Sequence, residues 1–568
     1  MSRPTGRPWL EVLAVAAAVV AYVGGLWLVR GEPGMDWDEP YSVDRAEAIA
    51  GWLGRAVGPP AGRARLFEPE VLEQGWQFCR EPPSSHGPVP CFLGLAANRA
   101  FGRLVGPLRG YRLGTVLAFA VAAGVLFRLV RQRLGWPPAL VALGTLLTDP
   151  RPLADAQQFT ADSNLGAVWF LAAVAGLRAC ETGRGAWRFG VLAGLAVMSK
   201  VMGVLLLPAM VGWMLIYRPR NARRVLAWAV PTVPLTMIAV NPYLWPHPVA
   251  ALLRWGRSFL AFPQKVPVAY FGTVYDSRTK FLPWHNPAVL TATMVPPGLL
   301  ALAAVGLVAA AWLMLPGRNR RSDPGVEFLP DAAVGGFAAL NFLILPVLRV
   351  SSFMPAHDGL RQLDPAFFFL PVLAALGTRT LLRAAAGFRV GAWLAGAVIL
   401  ISLGSAAWAT VRIQPFGLAY YNAFIGGPRG AKAAGMETTY YWDAANAEVL
   451  GWMDANLPTG ATVLIFPPPD VRMFDYHQRW GTLRPDLKMM ALDPPHFERR
   501  LALMRGRRPC YLIFLMRQGL YLRSDLFARL AETPALYSLA PARVDGVRLL
   551  AIFDRAQYRA VIEAHRLP

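Results

Sequence analysis

Three carboxylates crowd into a short stretch that follows the first apolar segment of the chain. The stretch is MDWDEPYS, residues 35–42, and its acids are Asp36, Asp38 and Glu39. A carboxylate beside a membrane span keeps its charge only if it faces water, a cation or a bound molecule, because burying an unpaired charge is costly. Such a group can act as a general base, although a solvated loop at a helix exit has the same composition.

Further ionisable residues stand near the ends of later apolar segments, on the face where the charge distribution predicts the first acids to lie. They are Arg80, His86, Asp162, Lys200, His247, His285, His357, Asp358 and Arg361. Acids and bases near one membrane surface suit an amphiphilic substrate with an anionic head, such as a lipid-linked phosphate. Arg and Lys would bind the phosphate, and a carboxylate would deprotonate an incoming hydroxyl or amine.

Each of these residues also has a purely structural interpretation. Asp162, in TADSNLG, can cap a helix, and Lys200 can be a lysine whose charge reaches the membrane surface from a helix turn. His247 and His285 lie in aromatic interfacial loops and are expected to be structural. Asp358 can form a local ion pair with Arg361.

A metal site is not required by the sequence. No Cys-x-x-Cys or His-Glu-x-x-His spacing occurs, which argues against zinc. A divalent cation held by Asp38, Glu39 and Asp162 would have oxygen ligands and be magnesium or manganese in character. No cofactor is therefore firmly expected.

The composition identifies an integral membrane protein. The 568 residues are 55% hydrophobic and 16% charged, with a mean hydropathy of +0.36, whereas soluble proteins are about 25% charged. The formal net charge is +22, but the arginines fall in short clusters between apolar segments. Topology explains such clusters better than nucleic-acid binding does.

About eleven transmembrane helices are predicted, with the N-terminus and the main arginine clusters in the cytoplasm. The apolar stretch formed by residues 187–217 is too long for one span and carries Lys200. We therefore expect a helical hairpin that turns near Lys200. The predicted segments are 9–28, 111–130, 140–148 with its flanks, 163–179, 187–217 as two spans, 225–240, 288–315, 331–348, 363–382 and 390–411.

Two external loops and an external domain complete the predicted organisation. Residues 1–411 form the membrane module, with external loops at 30–110 and 241–287. The apolar segment 89–108 is interrupted by Asn98, Arg99 and Arg103, so we expect an interfacial helix. Residues 412–568 alternate helical and β-prone runs and predict an extracytoplasmic α/β domain. Cys79 and Cys91 either pair or remain separate thiols.

The ordered motifs of the chain resemble the GT-C membrane glycosyltransferases, especially protein O-mannosyltransferases and bacterial transferases that put aminoarabinose on lipid A. The motifs are WDEPYS, HGPVP, YRLGTVLAF, DPRPLADAQQFTADS, GLAVMSKVMGVLLLP and HDGLRQLDPAFFFLPVLA. The resemblance covers essentially the whole chain. HGPVP replaces a tighter His-Pro-Pro pattern of the mannosyltransferases, and Pro40 follows the acid pair, so protein mannosylation is less strongly implied than the class of chemistry.

This resemblance implies an inverting transferase of the bacterial cytoplasmic (inner) membrane that uses a polyprenyl-phosphate-linked sugar at the external face. The acceptor is a lipid, a polysaccharide or a protein. Asp38 or Glu39 is then the catalytic acid residue and Asp162 the second external acid. The implied contacts of the donor phosphate are Lys200 and Arg361, and His86, Arg80 and His357 are further candidates.

Two other classes of function are compatible with the composition. A transporter or lipid flippase would have internal symmetry and charges near the middle of the membrane, and we find no repeat. A membrane anchor with a binding domain at 412–568 would leave the acids and bases among the spans unexplained.

Overall fold

The computed structural model describes residues 7–76, 86–260, 266–276, 280–314, 331–351, 357, 359–467, 471–493, 496–506 and 508–565. The part of the chain before residue 414 is helical apart from one short hairpin. Its helices are α1 (Pro8–Arg30), α2 (Glu39–Val57), α3 (Pro60–Ala64), α4 (Pro69–Trp76), α5 (Val89–Val105), α6 (Pro107–Leu134), α7 (Trp136–Thr148), α8 (Pro150–Ala156), α9 (Ala161–Thr182), α10 (Ala186–Val197), α11 (Leu206–Tyr217), α12 (Ala222–Val240), α13 (Pro248–Leu260), α14 (Asn286–Met294), α15 (Pro297–Met314), α16 (Asp331–Val350), α17 (Asp364–Phe367), α18 (Leu370–Ala385) and α19 (Arg389–Ile413).

Within the described residues, six helices are long and apolar enough to cross a membrane. They are α1, α6, α9, α12, α16 and α19. Residues 361–385 form a bent pair of helices that counts as a seventh span, and α7, α10, residues 201–217 and α15 are shorter apolar helices. Each of the eleven predicted segments coincides with helical structure, but 288–315, predicted as one span, is divided into α14 and α15. The protein is thus a multi-pass membrane protein, as the sequence predicts.

The structure bears on two local predictions about the membrane module. The segment after residue 89 folds as the helix α5, which at 17 residues is shorter than the candidate spans, and its interfacial position stays a prediction. Near Lys200 the chain leaves α10 and passes through a 3₁₀ turn, Val201–Leu205, before α11 begins. This break is where the sequence predicts the hairpin to turn. It leaves Lys200 at the end of a helix rather than in the middle of a span.

The C-terminal part folds around a five-stranded mixed sheet. Its strands are β3 (Thr462–Phe466), β4 (Lys488–Ala491), β5 (Cys510–Leu515), β6 (Tyr537–Leu539) and β7 (Leu550–Phe553), and its helices are α20 (Gly427–Ala433), α21 (Ala447–Asn456), α22 (Arg472–Arg479), α23 (Phe497–Leu501), α24 (Gln518–Tyr521), α25 (Asp525–Glu532) and α26 (Arg555–His565). The strand order is β4-β3-β5-β7-β6, parallel through β5 and antiparallel beyond it. The predicted α/β character is confirmed.

Arg112, in the second turn of α6, fastens the first loop to the helical bundle. Its side chain is fully buried and bonds both carboxylate oxygens of Glu39, at 2.7 and 2.6 Å, and Glu32 at 2.9 Å. It also donates to the carbonyl oxygens of Pro33 and Gly34. All five guanidinium N–H groups can be satisfied in this way, so the charge is compensated despite its burial.

The first loop also contacts the C-terminal domain directly. Asp44 of α2 accepts hydrogen bonds from Arg472 at 2.7 Å and from the Tyr476 hydroxyl at 2.5 Å, both on α22. Helix α2 is therefore held at Glu39 by Arg112 and at Asp44 by α22. In the same region Cys91 is a buried free thiol, while Cys79 lies outside the described residues.

Arg112 makes a testable contribution to stability. Replacing it with Met leaves Glu39 buried without its cation, so we expect a loss of about 3–5 kcal/mol. The matched control is Arg109→Gln, because the Arg109 side chain is 35% exposed and its pair with Glu32 is worth about 1 kcal/mol or less. Thermal unfolding of the detergent-solubilised variants measures both. Equal melting temperatures would show that Arg112 does not anchor the loop.

Candidate active site

A cavity of about 470 Å³ lies between the membrane module and the C-terminal domain. Among the residues that the structure describes, its walls combine one carboxylate with several cations, two histidines and aromatic side chains. The lining residues are Trp37, Asp38, Tyr41, Ser42, Arg45, His86, Ala161, Lys200, Val266, Pro267, His357, Arg361, Tyr441, Arg517 and Leu520. The cavity therefore takes residues from both predicted external loops, from the span ends and from the region after residue 411.

Arg361 occupies the centre of the charged groups. Its Nε donates to Asp162 Oδ2 at 2.6 Å, and its Nη2 forms an ion pair with Asp38. Nη1 donates to the Tyr441 hydroxyl at 2.7 Å, and the guanidinium lies 4.7 Å from the centre of the Tyr441 ring. One side chain thus connects residues that are far apart in sequence. It stands at the start of the 3₁₀ turn Arg361–Leu363, just before the bent pair of helices α17 and α18.

Lys200 completes the pairing of Asp162. Its Nζ donates to Asp162 Oδ1 at 2.5 Å, so each carboxylate oxygen faces a different cation. Asp162 lies in the first turn of α9, where the helix dipole also favours negative charge. The break after α10 is what allows Lys200 to reach it. Both side chains are almost fully buried, and Asp162 serves here to hold the two cations in place.

Asp38 is the carboxylate that faces the cavity. It precedes α2, and its backbone N–H donates to Asp36 Oδ1 at 2.6 Å. About 38% of its side chain is exposed, against 3% for Asp162. Burial alone would raise the pKa of Asp38, but attraction and hydrogen bonding by Arg361 outweigh it and hold the pKa below its usual range. Asp38 is consequently ionised in the unliganded site.

The two histidines at the cavity are neutral. Burial, together with the positive charges of Arg45 and Lys200, lowers the pKa of His86 to about 3. Burial and the charges of Lys200 and Arg361 likewise hold the pKa of His357 well below its usual range. Neutral imidazoles can donate or accept a hydrogen bond but add no positive charge. The positive charge of the cavity comes from Arg and Lys.

Glu39 does not reach the cavity. Its carboxylate is fully buried, faces Arg112, and accepts backbone N–H groups from Asp36 and Phe159 at 2.8 Å each. Four hydrogen bonds occupy its two oxygens, which suits a structural anchor. Of the acid pair, the geometry therefore presents Asp38, not Glu39, to a substrate.

The remaining candidates fall in three places. Arg80 and Asp358 lie outside the described residues. His285 sits beside α14 and shares a 2.9 Å hydrogen bond with the Tyr270 hydroxyl, and neither His285 nor the exposed His247 lines the cavity. A structural role for these two histidines stays a prediction.

The three carboxylates suggested as metal ligands do not form a suitable donor set. Glu39 is occupied by Arg112, and both oxygens of Asp162 face cations. Among the residues that the structure describes, no group of three or more His, Cys, Asp or Glu side chains is placed to hold a metal ion.

Several cavity residues were not predicted from the sequence. Tyr41, Ser42 and Arg45 follow Asp38 along α2, and their spacing of three, four and seven positions could have placed them on the same helix face. Tyr441 and Arg517 come from the C-terminal part. No local pattern marks these two, because only the packing of the domain on the membrane module brings them to the cavity.

Comparisons with known proteins agree with this architecture. Residues 85–245 match the family model described as dolichyl-phosphate-mannose-protein mannosyltransferase. The structure aligns with that of ArnT from Cupriavidus metallidurans in the apo state, with a TM-score of 0.50 and 14% identity, covering 96% of this chain and 99% of that one.

Two further solved structures are similar at a lower level. ArnT from Cupriavidus metallidurans bound to undecaprenyl phosphate gives a TM-score of 0.48 and 15% identity, covering 94% of this chain and 97% of that one. The Archaeoglobus fulgidus oligosaccharyltransferase in complex with Zn and sulfate gives 0.48 and 12%, covering 95% of this chain and 73% of that one. No curated protein sequence matches the chain.

The chain has the fold of the GT-C membrane glycosyltransferases. The resemblance predicted from the ordered motifs is confirmed by the family match and by the alignment over nearly the full lengths of both chains. The family match covers HGPVP, YRLGTVLAF, the Asp162 segment and the Lys200 segment, which are four of the motifs that carry the resemblance.

The low pKa of His86 predicts how stability depends on pH. Unfolded His86 takes up a proton near pH 6.5, whereas folded His86 does so only near pH 3. Stability therefore falls as the pH drops below 6.5, by at most about 1.4 kcal/mol per pH unit from this group. In His86→Gln, the melting temperature should fall less steeply between pH 6.5 and 4 than in the wild type. His496→Gln, an exposed histidine, is the control, and parallel profiles for wild type and His86→Gln would contradict the assignment.

Proposed function

We propose that the protein transfers a sugar from a polyprenyl-phosphate donor to an acceptor at the external face of the bacterial cytoplasmic membrane. The observation that carries the proposal is the pairing, in one cavity, of an accessible carboxylate with fixed cations. Within the described part of the chain, Arg45, Lys200, Arg361 and Arg517 line the cavity together with one carboxylate, Asp38. Even with Asp162 included the excess charge is positive, which favours an anionic substrate.

The donor phosphate would bind against Lys200 and Arg361. Both cations are held from behind by Asp162, at 2.5 and 2.6 Å, so their positions are fixed before the substrate arrives. Fixed cations stabilise the charge that develops on a departing phosphate without reorganising during the reaction. The polyprenyl tail would extend into the bilayer beside the span ends.

Asp38 would act as the base. The acceptor gives its proton to Asp38 as its oxygen or nitrogen attacks the anomeric carbon from the face opposite the phosphate. The bond from that carbon to the phosphate oxygen breaks, and polyprenyl phosphate leaves with the bonding electrons. Inversion results, and one base suffices because phosphate departs without protonation.

Arg361 links donor binding to the strength of this base. In the unliganded site it pairs with Asp38 and keeps the pKa of that carboxylate low, which makes Asp38 a weak base. A bound phosphate competes for Arg361 and adds negative charge near Asp38. Both effects raise the proton affinity of Asp38. The base would therefore be activated when the donor is in place.

The cavity wall formed by Val266, Pro267 and Leu520 would limit hydrolysis of the donor. Val266 and Pro267 precede the hairpin of β1 (Val268–Tyr270) and β2 (Thr273–Tyr275), and Leu520 belongs to α24. Arg517 ties the two sides together by donating to the carbonyl oxygens of Tyr440, at 2.7 Å, and of Pro267, at 3.4 Å. A covered cavity excludes water that would compete with the acceptor.

Replacing Asp38 tests the assignment. Asp38→Asn keeps the size of the side chain but cannot accept the proton, so transfer should fall by about 10²–10⁴-fold. The assay is release of undecaprenyl phosphate from undecaprenyl-phosphate-linked mannose or aminoarabinose by protein in proteoliposomes.

Asp525→Asn, an exposed residue at the start of α25, is the matched control and should be as active as the wild type. Melting temperatures verify that each variant is folded. A folded Asp38→Asn variant with full transferase activity would refute the role of Asp38 as the base.

A further inference from the structure

Tyr441 connects the C-terminal domain to the charged centre of the cavity. Its hydroxyl accepts a hydrogen bond from Arg361 Nη1 at 2.7 Å, and its ring lies against the guanidinium, 4.7 Å from ring centre to Cζ. Tyr441 is 4% exposed and lines the cavity. The same guanidinium meets Asp38 and Asp162 through its other nitrogens. Each of the three guanidinium nitrogens of Arg361 therefore has its own partner: Tyr441 at Nη1, and a carboxylate at each of the other two.

The backbone around Tyr441 is itself firmly placed. The Tyr440 carbonyl accepts from Arg517 at 2.7 Å, and the Tyr440 hydroxyl shares a 3.0 Å hydrogen bond with that of Tyr421. Trp442, the next residue, is completely buried in the core shared with the C-terminal domain. A side chain on such a segment has little freedom to move, so it can hold a partner in one orientation.

The turn that carries Arg361 packs against the same segment. Gly359 has φ of +46°, and a Cβ at this position would lie 2.7 Å from Arg151 Nη1 and 3.2 Å from Tyr440 Cζ. Arg151 in turn lies over the Tyr440 ring, 4.9 Å from its centre. The turn at Gly359 and the segment at Tyr440 are thus in contact within two residues of Arg361. This contact supports the hydrogen bond between Arg361 and Tyr441 from a second direction.

We propose that Tyr441 is a positioning residue that orients Arg361 for the donor phosphate, so that the C-terminal domain forms part of the active site. The inference rests on the proposed function for the identity of the ligand. The contact with Arg361 itself does not depend on it. Without the hydroxyl, the guanidinium can turn towards its carboxylate partners and loses the orientation that presents it to a phosphate.

The first experiment measures binding of undecaprenyl phosphate to the full-length protein in detergent by microscale thermophoresis. Tyr441→Phe keeps the ring and removes the hydroxyl, and a lost hydrogen bond to a charged group predicts a Kd raised by about tenfold or more. Tyr441→Leu also removes the ring and should weaken binding further. The control is Tyr537→Phe, whose hydroxyl bonds Glu448 on the exposed surface of the domain and whose Kd should equal that of the wild type.

The second experiment is a ligand-free double-mutant cycle on the melting temperature, with Tyr441→Phe made in the wild type and in Arg361→Gln. If Tyr441 acts through Arg361, the hydroxyl contributes in the wild type and has little effect once Arg361 is gone. Equal effects in both backgrounds would overturn the proposal. So would an unchanged Kd for Tyr441→Phe when Arg361→Gln binds weakly.

The two experiments separate this inference from the proposed function. If the wild type does not bind undecaprenyl phosphate, the assignment of the donor fails, and the cycle still decides whether Tyr441 positions Arg361. If the wild type binds undecaprenyl phosphate, the Kd must rise in Tyr441→Phe, and the effect of Tyr441→Phe on the melting temperature must depend on Arg361. A tyrosine that only stabilises the fold would leave the Kd unchanged.

Discussion

A buried guanidinium between two carboxylates sets the constraint on which the rest of this structure depends. Charges removed from water must be paired, and each pair at the site joins parts of the chain that are far apart in sequence. Arg361 meets Asp38 from the first loop, Asp162 from the head of α9 and Tyr441 from the C-terminal segment. The ends of these elements therefore converge at one point, which becomes the cavity.

The acids of the site have different tasks despite their similar chemistry. Asp162 forms ion pairs with Lys200 and Arg361, and Glu39 forms one with Arg112. Both carboxylates therefore hold cations in place. Asp38 pairs with one cation, Arg361, as far as the described residues go, and about 38% of its side chain is exposed. If Arg361 bonds a bound phosphate in place of Asp38, Asp38 becomes the strongest available base. The difference follows from how completely each carboxylate is enclosed, because Glu39 and Asp162 are buried whereas Asp38 is partly exposed.

Most of the membrane architecture could be predicted from the sequence, because a span has a characteristic length and composition. The apolar segments coincide with helical structure, apart from the division of 288–315 into two helices, and the chain leaves the helix near Lys200 as predicted. The same reasoning predicted a helix at α5, where the structure has one. These features depend on local hydropathy and charge, which the sequence displays directly.

The parts of the site that escaped prediction depend on long-range packing. Sequence alone could not separate Asp38 from Glu39 on physical grounds, because the difference is made by Arg112, 73 residues further along the chain. Arg112 stands inside YRLGTVLAF, where an arginine reads as the flank of a span. Tyr441 and Arg517 reach the cavity only because the C-terminal domain packs over it. Their roles follow from tertiary contacts that no local pattern contains.

The most direct test of the account is an experimental structure of the protein with a bound polyprenyl phosphate. The account predicts that the phosphate lies within hydrogen-bond distance of Lys200 and Arg361, with the Asp38 carboxylate facing the side from which an acceptor would approach. Arg361 should keep its hydrogen bonds to Asp162 and Tyr441, with Nη2 donating to the phosphate in place of Asp38. A phosphate bound elsewhere, with the pair of Asp38 and Arg361 intact, would contradict the central claim that this cavity is the donor site.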